Sequence, residues 1–152
     1  MTKRFRRAAA LSIALCMLLT LLPAALAAET GLTRAELAVL VYEKFQPPVP
    51  EEDPGFTDLE GCTETQRVAI SALAAAGVLN GQANGAFDPG GAVTRAQAAL
   101  ILWRALGQPA AGEGAPYTDV PGYAEAAVNA LYGRGILTDG DAAEGAFLPD
   151  TQ

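Results

Sequence analysis

The sequence contains no histidine and few of the other side chains on which protein catalysis depends. Cysteine occurs only at Cys16 and Cys62, and the only serine after Ser12 is Ser71. Without an imidazole, neither a Ser-His nor a Cys-His nucleophile can be assembled, and zinc sites lose their usual nitrogen ligand. A glycosidase would still need two carboxylates facing each other across a cleft. We therefore expect no enzyme activity, no metal site and no cofactor.

Positive charge is concentrated at the N-terminus. Four of the ten basic residues lie within the first seven positions, ahead of an apolar run over residues 8–22. This run is shorter than the roughly 20 residues that span a bilayer, and an Ala-x-Ala site at residues 25–27 follows it. The layout is typical of a secretory signal peptide, so we predict that residues 1–27 are removed on export. An uncleaved membrane anchor is the competing interpretation, which the break at Pro23 disfavours.

Acidic residues dominate the rest of the chain. All 17 lie after residue 27, so cleavage makes the protein more acidic than the net charge of −7 of the whole sequence. Such a balance argues against nucleic acid as a partner, and against an anionic membrane surface once the signal peptide is gone. Cys62 is then the only cysteine left, so we expect no intramolecular disulfide.

One segment of about sixty residues occurs twice. Four pairs of matching segments follow the same order, in residues 32–38 and 93–99, 56–59 and 117–120, 77–79 and 135–137, and 85–89 and 145–149. The first two pairs are offset by 61 residues and the third by 58. Four matches in one order indicate a duplication, and therefore two copies of one structural unit.

Each copy is expected to contain two helices. Apolar side chains recur at helical spacing in the first helix of each copy, at Ala38, Val41, Tyr42 and Phe45, and at Ala98, Ile101, Leu102 and Ala105. Second helices are predicted over about residues 63–76 and 123–132, with Gly77 and Gly133 as left-handed C-terminal caps. The sequence thus predicts an all-α fold, in which tandem helix-loop-helix repeats form a small helical bundle.

The repeated segments resemble the S-layer homology repeat. The similarity rests on Phe56-Thr57-Asp58-Leu59, the Gly-Val-Leu of residues 77–79, the Gly-x-Phe-x-Pro of 85–89 and Thr94-Arg95-Ala96-Gln97. It implies a helical module of secreted bacterial proteins at the cell surface and cell wall. Such modules bind secondary cell-wall polysaccharide noncovalently, and this polysaccharide is often pyruvylated and therefore anionic.

We place two S-layer-homology-like units at residues 28–92 and 93–152, the second incomplete at its C-terminal end. The family commonly uses these modules in threes, so other chains with such repeats are further expected partners. Either the gene is truncated, or the helix that begins at Arg34 packs on the half formed by residues 117–150, and we expect the second. Otherwise the apolar face of Val128 and Leu131 would lack a partner helix.

The Thr-Arg-Ala-Glu/Gln segment has a structural explanation for two of its positions. Thr33 with Glu36, and Thr94 with Gln97, match the capping box, in which two side chains satisfy orphan amides at a helix start. These four residues are therefore assigned to helix capping.

The arginine of the same segment is out of place, because the helix macrodipole favours carboxylates in the first turn. A cation beside free helix amides suits an anion, and the guanidinium fork matches a carboxylate bidentately. Alternatively, the arginines form internal ion pairs. The residues concerned are Arg34 and Arg95, with Asp58 and Asp119 or with Asp88 and Asp150. We take Arg34, Arg95, Asp58 and Asp119 as candidate ligand-binding residues and keep both interpretations.

Tyr123 is the fifth candidate. It stands near the position where the S-layer homology repeat usually carries Trp, and it precedes its helix, so we expect an exposed ring that can stack on a sugar. Trp103 lies within a helix and is expected to pack against other residues. The alternative function is a structural or assembly protein whose repeats pack on other repeats of this family without binding glycan.

Overall fold

Four short helices joined by loops make up the fold. The computed structural model describes residues 31–52, 54–112, 114–138, 146–147 and 150. Its helices are α1 (Arg34–Phe45), α2 (Glu64–Ala75), α3 (Arg95–Ala105) and α4 (Glu125–Tyr132). Because no strand occurs among the described residues, the predicted all-α class is confirmed. The predicted signal peptide lies outside the described residues.

Capping boxes start three of the helices. The hydroxyls of Thr33, Thr63 and Thr94 accept the backbone N–H three residues on, and the side chains of Glu36, Gln66 and Gln97 accept the threonine N–H in return. These contacts satisfy amides that a helix start otherwise leaves without partners. Helix α4 has no side-chain cap and starts two residues later than its apolar spacing indicates. It depends on the burial of one face.

Two glycines predicted as left-handed caps differ in conformation. Gly77 has φ +70°, and the following N–H of Val78 donates to the Leu73 carbonyl at 2.9 Å, which closes the end of α2. The prediction for Gly133 is wrong, because its φ is −59° and Gly135 takes the left-handed turn instead. A β-carbon on Gly133 would lie 3.3 Å from the α-carbon of Gly112, so close backbone approach favours glycine there.

Two hydrophobic cores lie one in each copy of the repeat, and α3 contributes to both. The first contains Ala35, Ala38, Val41, Leu59, Cys62, Ala69, Ile70, Leu73, Val78, Leu79, Phe87 and Ile101. The second contains Ala96, Ala99, Tyr117, Ala124, Val128, Leu131 and Phe147. On α3, Ala99 is buried instead of the predicted Ala98. Helix α3 therefore presents one face to α4 and another, through Ile101, to α1.

The prediction that α1 packs on the C-terminal half is wrong, because α1 does not contact α4, the helix of that half. Val128 and Leu131 pack in one core with Ala96 and Ala99 of α3, which lies in their own copy of the repeat. Helix α1 instead contacts α2 and α3, and no contact joins α1 to α4. The buried alanines of α3 thus supply the partner surface for this face of α4.

The segments that lead into α1 and α3 lie side by side. Thr33 and Ala92 form an isolated antiparallel bridge, and the Val93 N–H donates to the Leu32 carbonyl at 2.8 Å. All described residues belong to one compact unit, which begins at Gly31. The division into units at residues 92 and 93 therefore stays a prediction. No described helix is long and apolar enough to span a bilayer.

Truncation of Ile101 tests whether α3 couples the two cores. Ile101→Ala should lower the free energy of unfolding by about 2–5 kcal/mol, as expected for a buried isoleucine, and leave one cooperative transition. Urea denaturation followed by circular dichroism measures both. The control is Val49→Ala, because Val49 is exposed in a linker and its truncation should change stability by less than about 0.5 kcal/mol. Equal losses in the two variants would contradict this coupling.

Candidate functional site

Phe87, in the loop that precedes α3, is held from two sides. The two carboxylate oxygens of Asp58 accept the backbone N–H groups of Phe87 and Asp88, at 2.8 and 2.7 Å. The Arg34 Nε donates to the Phe87 carbonyl at 2.8 Å, and its Cζ lies 4.6 Å from the centroid of the buried Phe87 ring. The candidates Arg34 and Asp58 therefore meet at Phe87, and we call these three residues the phenylalanine clamp.

The guanidinium of Arg34 is bound by backbone carbonyls and not by a carboxylate. A second bond runs from Arg34 Nη2 to the Asn80 carbonyl at 2.9 Å. Among the described residues the one ion pair joins Arg67 to Glu64 at 3.9 Å, so the alternative that Arg34 pairs with Asp58 or Asp88 is not found. Two of the five N–H donors of this side chain are used in this way.

Burial and charge act on the clamp in opposite directions. Partial burial lowers the pKa of Arg34, and the nearby charges of Asp88 and Asp58 counteract part of that change. The pKa of Asp58 is lowered, chiefly by the hydrogen bond from the Phe87 backbone. A carboxyl group kept ionised in this way is a poor general acid.

The amides at the start of α1 are already occupied. The N–H groups of residues 34–37 donate, in chain order, to the carbonyl of Gly91, the carbonyl of Pro89, the hydroxyl of Thr33 and the carbonyl of Thr33. The expectation that free amides of this helix start receive an anion is therefore wrong for α1. Any ligand at this end of α1 must be bound by side chains.

The second copy repeats two contacts of the clamp. The Cζ of Arg95 lies 4.8 Å from the centroid of the Phe147 ring, and the Phe147 N–H donates to Asp119. Phe147 also packs against Tyr117, with ring centroids 5.4 Å apart. Both Arg-Asp pairs are predictable from the repeat, whereas the phenylalanine that joins each pair was not among the predicted site residues. The signal was present, because the Gly-Ala-Phe triplet recurs with the other segments.

The two aromatic residues that could stack on sugar differ in exposure. Tyr123 is 58% exposed, as expected, and makes no hydrogen bond or ring contact with another described residue. Trp103 is half-buried, and its indole N–H donates to the Pro109 carbonyl at 2.8 Å, which ties it to the following linker. Of the two, Tyr123 presents the more accessible ring.

A small polar hollow lies beside Asp58. It has a volume of about 240 Å³ and is lined by Phe56, Thr57, Leu59, Glu60, Arg67 and Ser71. Arg67 was not among the predicted site residues. The matching position of the second copy is Glu125, so the arginine is not repeated and the duplication does not point to it. The described residues hold no cluster of three metal-ligating side chains.

Replacing Asp58 by asparagine tests the clamp through its pH dependence. The lowered pKa means that ionised Asp58 stabilises the fold above its ordinary value near pH 4, and that this contribution disappears as the pH falls through the folded-state pKa. Asp58→Asn should therefore melt below the wild-type temperature at neutral pH, and the difference should vanish in acid. Thermal denaturation from neutral pH to about pH 2 measures it.

Asp88→Asn is the matched control, because it removes an equal charge near Arg34 from an exposed side chain. Within the part of the chain that the structure describes, the carboxylate of Asp88 accepts only the Gln82 amide, at 3.3 Å. Asparagine tolerates the left-handed backbone of this position. The same pH-dependent loss in this variant would show that general charge, and not the clamp, carries the effect.

Comparison with known families gives one match. The sequence profile described as the S-layer homology domain matches residues 55–99 and 116–152, more than half of the chain. No curated protein matches the chain significantly. The first matched segment contains Asp58, Phe87 and Arg95, whereas Arg34 lies outside it. The contacts of the clamp thus join residues that the profile does not group together.

Proposed function

Because the chain belongs to the S-layer homology family, whose domains generally anchor proteins at the cell surface on cell-wall polysaccharide, we propose that it is a secreted protein bound noncovalently to the bacterial cell wall. The ligand we propose is an anionic secondary polysaccharide, with a pyruvylated sugar as the recognised group. A carboxylate of this kind matches the planar fork of an arginine.

The fixed guanidinium of Arg34 is the observation that supports this proposal most directly. Carbonyl acceptors hold Nε and Nη2, and the Phe87 ring supports one face, so the side chain is oriented before any ligand arrives. The three other N–H donors of Arg34 make no hydrogen bond to any described residue, and we propose that they bind the ligand. Since the orientation is fixed on folding, binding loses little further side-chain entropy. We propose the same role for Arg95 in the second copy.

The two aspartates near Arg34 determine how such a ligand is recognised. The charges of Asp88 and Asp58 favour the charged form of Arg34. Recognition depends on the directed hydrogen bonds of this guanidinium. The role we propose for Asp58 and Asp119 is positioning, since each holds the phenylalanine on which its arginine rests. Tyr123 is proposed to stack on a sugar ring.

Substitution of Arg34 tests this function. Arg34→Gln should weaken binding to purified pyruvylated wall polysaccharide by about 10- to 100-fold, because it removes charge-assisted hydrogen bonds. Arg34→Lys keeps the charge but loses the fork, so it should recover only part of the affinity. Calorimetric titration measures both, at a temperature where circular dichroism shows each variant to be folded.

Glu36→Gln is a matched control in the same helical turn. It changes the charge by one unit, and glutamine already completes the capping boxes of α2 and α3, so the helix start should be preserved. Affinity close to that of the wild type is expected. Unchanged binding in Arg34→Gln and in the variant lacking both arginines would refute the site. A folded wild type without any glycan affinity would favour the assembly alternative.

A further inference from the structure

Three exposed apolar side chains occupy positions that are more deeply buried in the other copy of the repeat. Leu40 of α1 corresponds to Ile101 of α3, at the offset of 61 that relates the two helices. Leu40 is 54% exposed, whereas Ile101 is 6% exposed and lies in the first core. The same position of the repeat is thus buried between copies in one case and solvent-exposed in the other.

A second set of positions shows the reverse pattern. Ile136 corresponds to Val78 at the offset of 58, and Leu106 corresponds to Phe45 at the offset of 61. Val78 is 6% exposed and lies in the first core with Ile101, against which Phe45 also packs. Their counterparts Ile136 and Leu106 are 44% and 37% exposed. The face of the first copy that contains Val78 and Phe45 is therefore covered, whereas the equivalent residues of the second copy, Ile136 and Leu106, are exposed to solvent.

These differences define the symmetry of the contact between α1 and α3. In a two-fold arrangement each copy would bury the same residue against the other, so Leu40 would be as buried as Ile101. It is not, and the contact is therefore heterologous. One copy presents the side chain at the Ile101 position, and the other receives it.

Each copy of such a repeat has two faces. The presenting face carries the residue at the Leu40 or Ile101 position, and the receiving face carries the residues at the Phe45 and Val78 positions, which are Leu106 and Ile136 in the second copy. Within this chain, the presenting face of the second copy is joined to the receiving face of the first. The presenting face at Leu40 and the receiving face at Leu106 and Ile136 are left unused among the described residues. They are the two halves of an interface that the chain already forms internally.

We propose that the Leu40 face of one molecule docks on the Leu106 and Ile136 face of a second copy of this chain, repeating the contact between α1 and α3. The surroundings of the two faces are compatible. Leu40 borders a groove of about 460 Å³ that Glu36 and Glu43 also line. Arg134 is exposed two residues before Ile136, so a basic side chain is available near the receiving face to meet these carboxylates.

Because the contact is heterologous, it extends into a chain of molecules unless its geometry closes a ring. This association needs no glycan and is independent of the function proposed above. It also leaves the phenylalanine clamp unaltered, since none of its residues lies on either face.

Mixing two variants of the full chain tests the proposal. Leu40→Glu removes the presenting face and Ile136→Glu removes the receiving face, and both sites are exposed enough for folding to survive, which melting curves check. Each variant alone should associate at least about tenfold more weakly than the wild type in sedimentation equilibrium. An equimolar mixture should form dimers, because each variant retains the face that the other lacks.

Val49→Glu is the control, since Val49 is exposed but has no counterpart in the internal contact, and it should associate like the wild type. Recovery in the mixture distinguishes this interface from a two-fold contact and from general adhesion. The proposal is overturned if the wild type stays monomeric at all concentrations, if the single variants associate as strongly as the wild type, or if their mixture stays monomeric.

Discussion

The hydrogen bonds on the backbone of Phe87 are the constraint on which the first copy of the repeat depends. They join three segments that are distant in sequence: the start of α1 through Arg34, the turn before α2 through Asp58, and the loop before α3. The Phe87 ring is completely buried in the first core. A buried ring gains free energy from leaving water, but the hydrophobic effect has no direction. The hydrogen bonds supply the direction, because they place this loop in one orientation above the core.

The loop in turn fixes the neighbouring helix starts. Residues 89–91 provide the carbonyls that receive the first two amides of α1, and residues 92 and 93 then pair with the segment before α1. Helix α3 follows directly, with Ile101 in the first core and Ala96 in the second. The position of the second copy thus depends on a loop of the first. This explains why the contact between copies has a direction, with one copy presenting and the other receiving.

Local sequence signals predicted the helices well, but the contacts between helices less well. Capping boxes depend on residues three apart, so Thr33, Thr63 and Thr94 identify three helix starts without knowledge of the tertiary structure. The partner of α4 depends on which alanines of α3 permit close approach, and periodicity gave Ala98 where the structure buries Ala99. Gly133 shows the same limit. Its spacing was typical of a cap, while its actual role depends on Gly112, which belongs to a distant linker.

The candidate site shows why pairs of charged residues are hard to interpret from sequence. Arg34 and Asp58 recur together as Arg95 and Asp119, a pattern equally compatible with an ion pair and with a ligand site. In the first copy each charged group instead bonds to the backbone of a third residue, Phe87. Carbonyl acceptors are neutral, so an arginine bound by them has no negative charge in direct contact with its guanidinium. An arginine bound by a carboxylate has its charge neutralised by that partner. The clamp therefore allows a single side chain to orient a loop and still offer donors to a ligand. Since its rigidity is established on folding, loss of the clamp should reduce stability and ligand affinity together, whereas loss of the outer N–H donors alone should reduce affinity only.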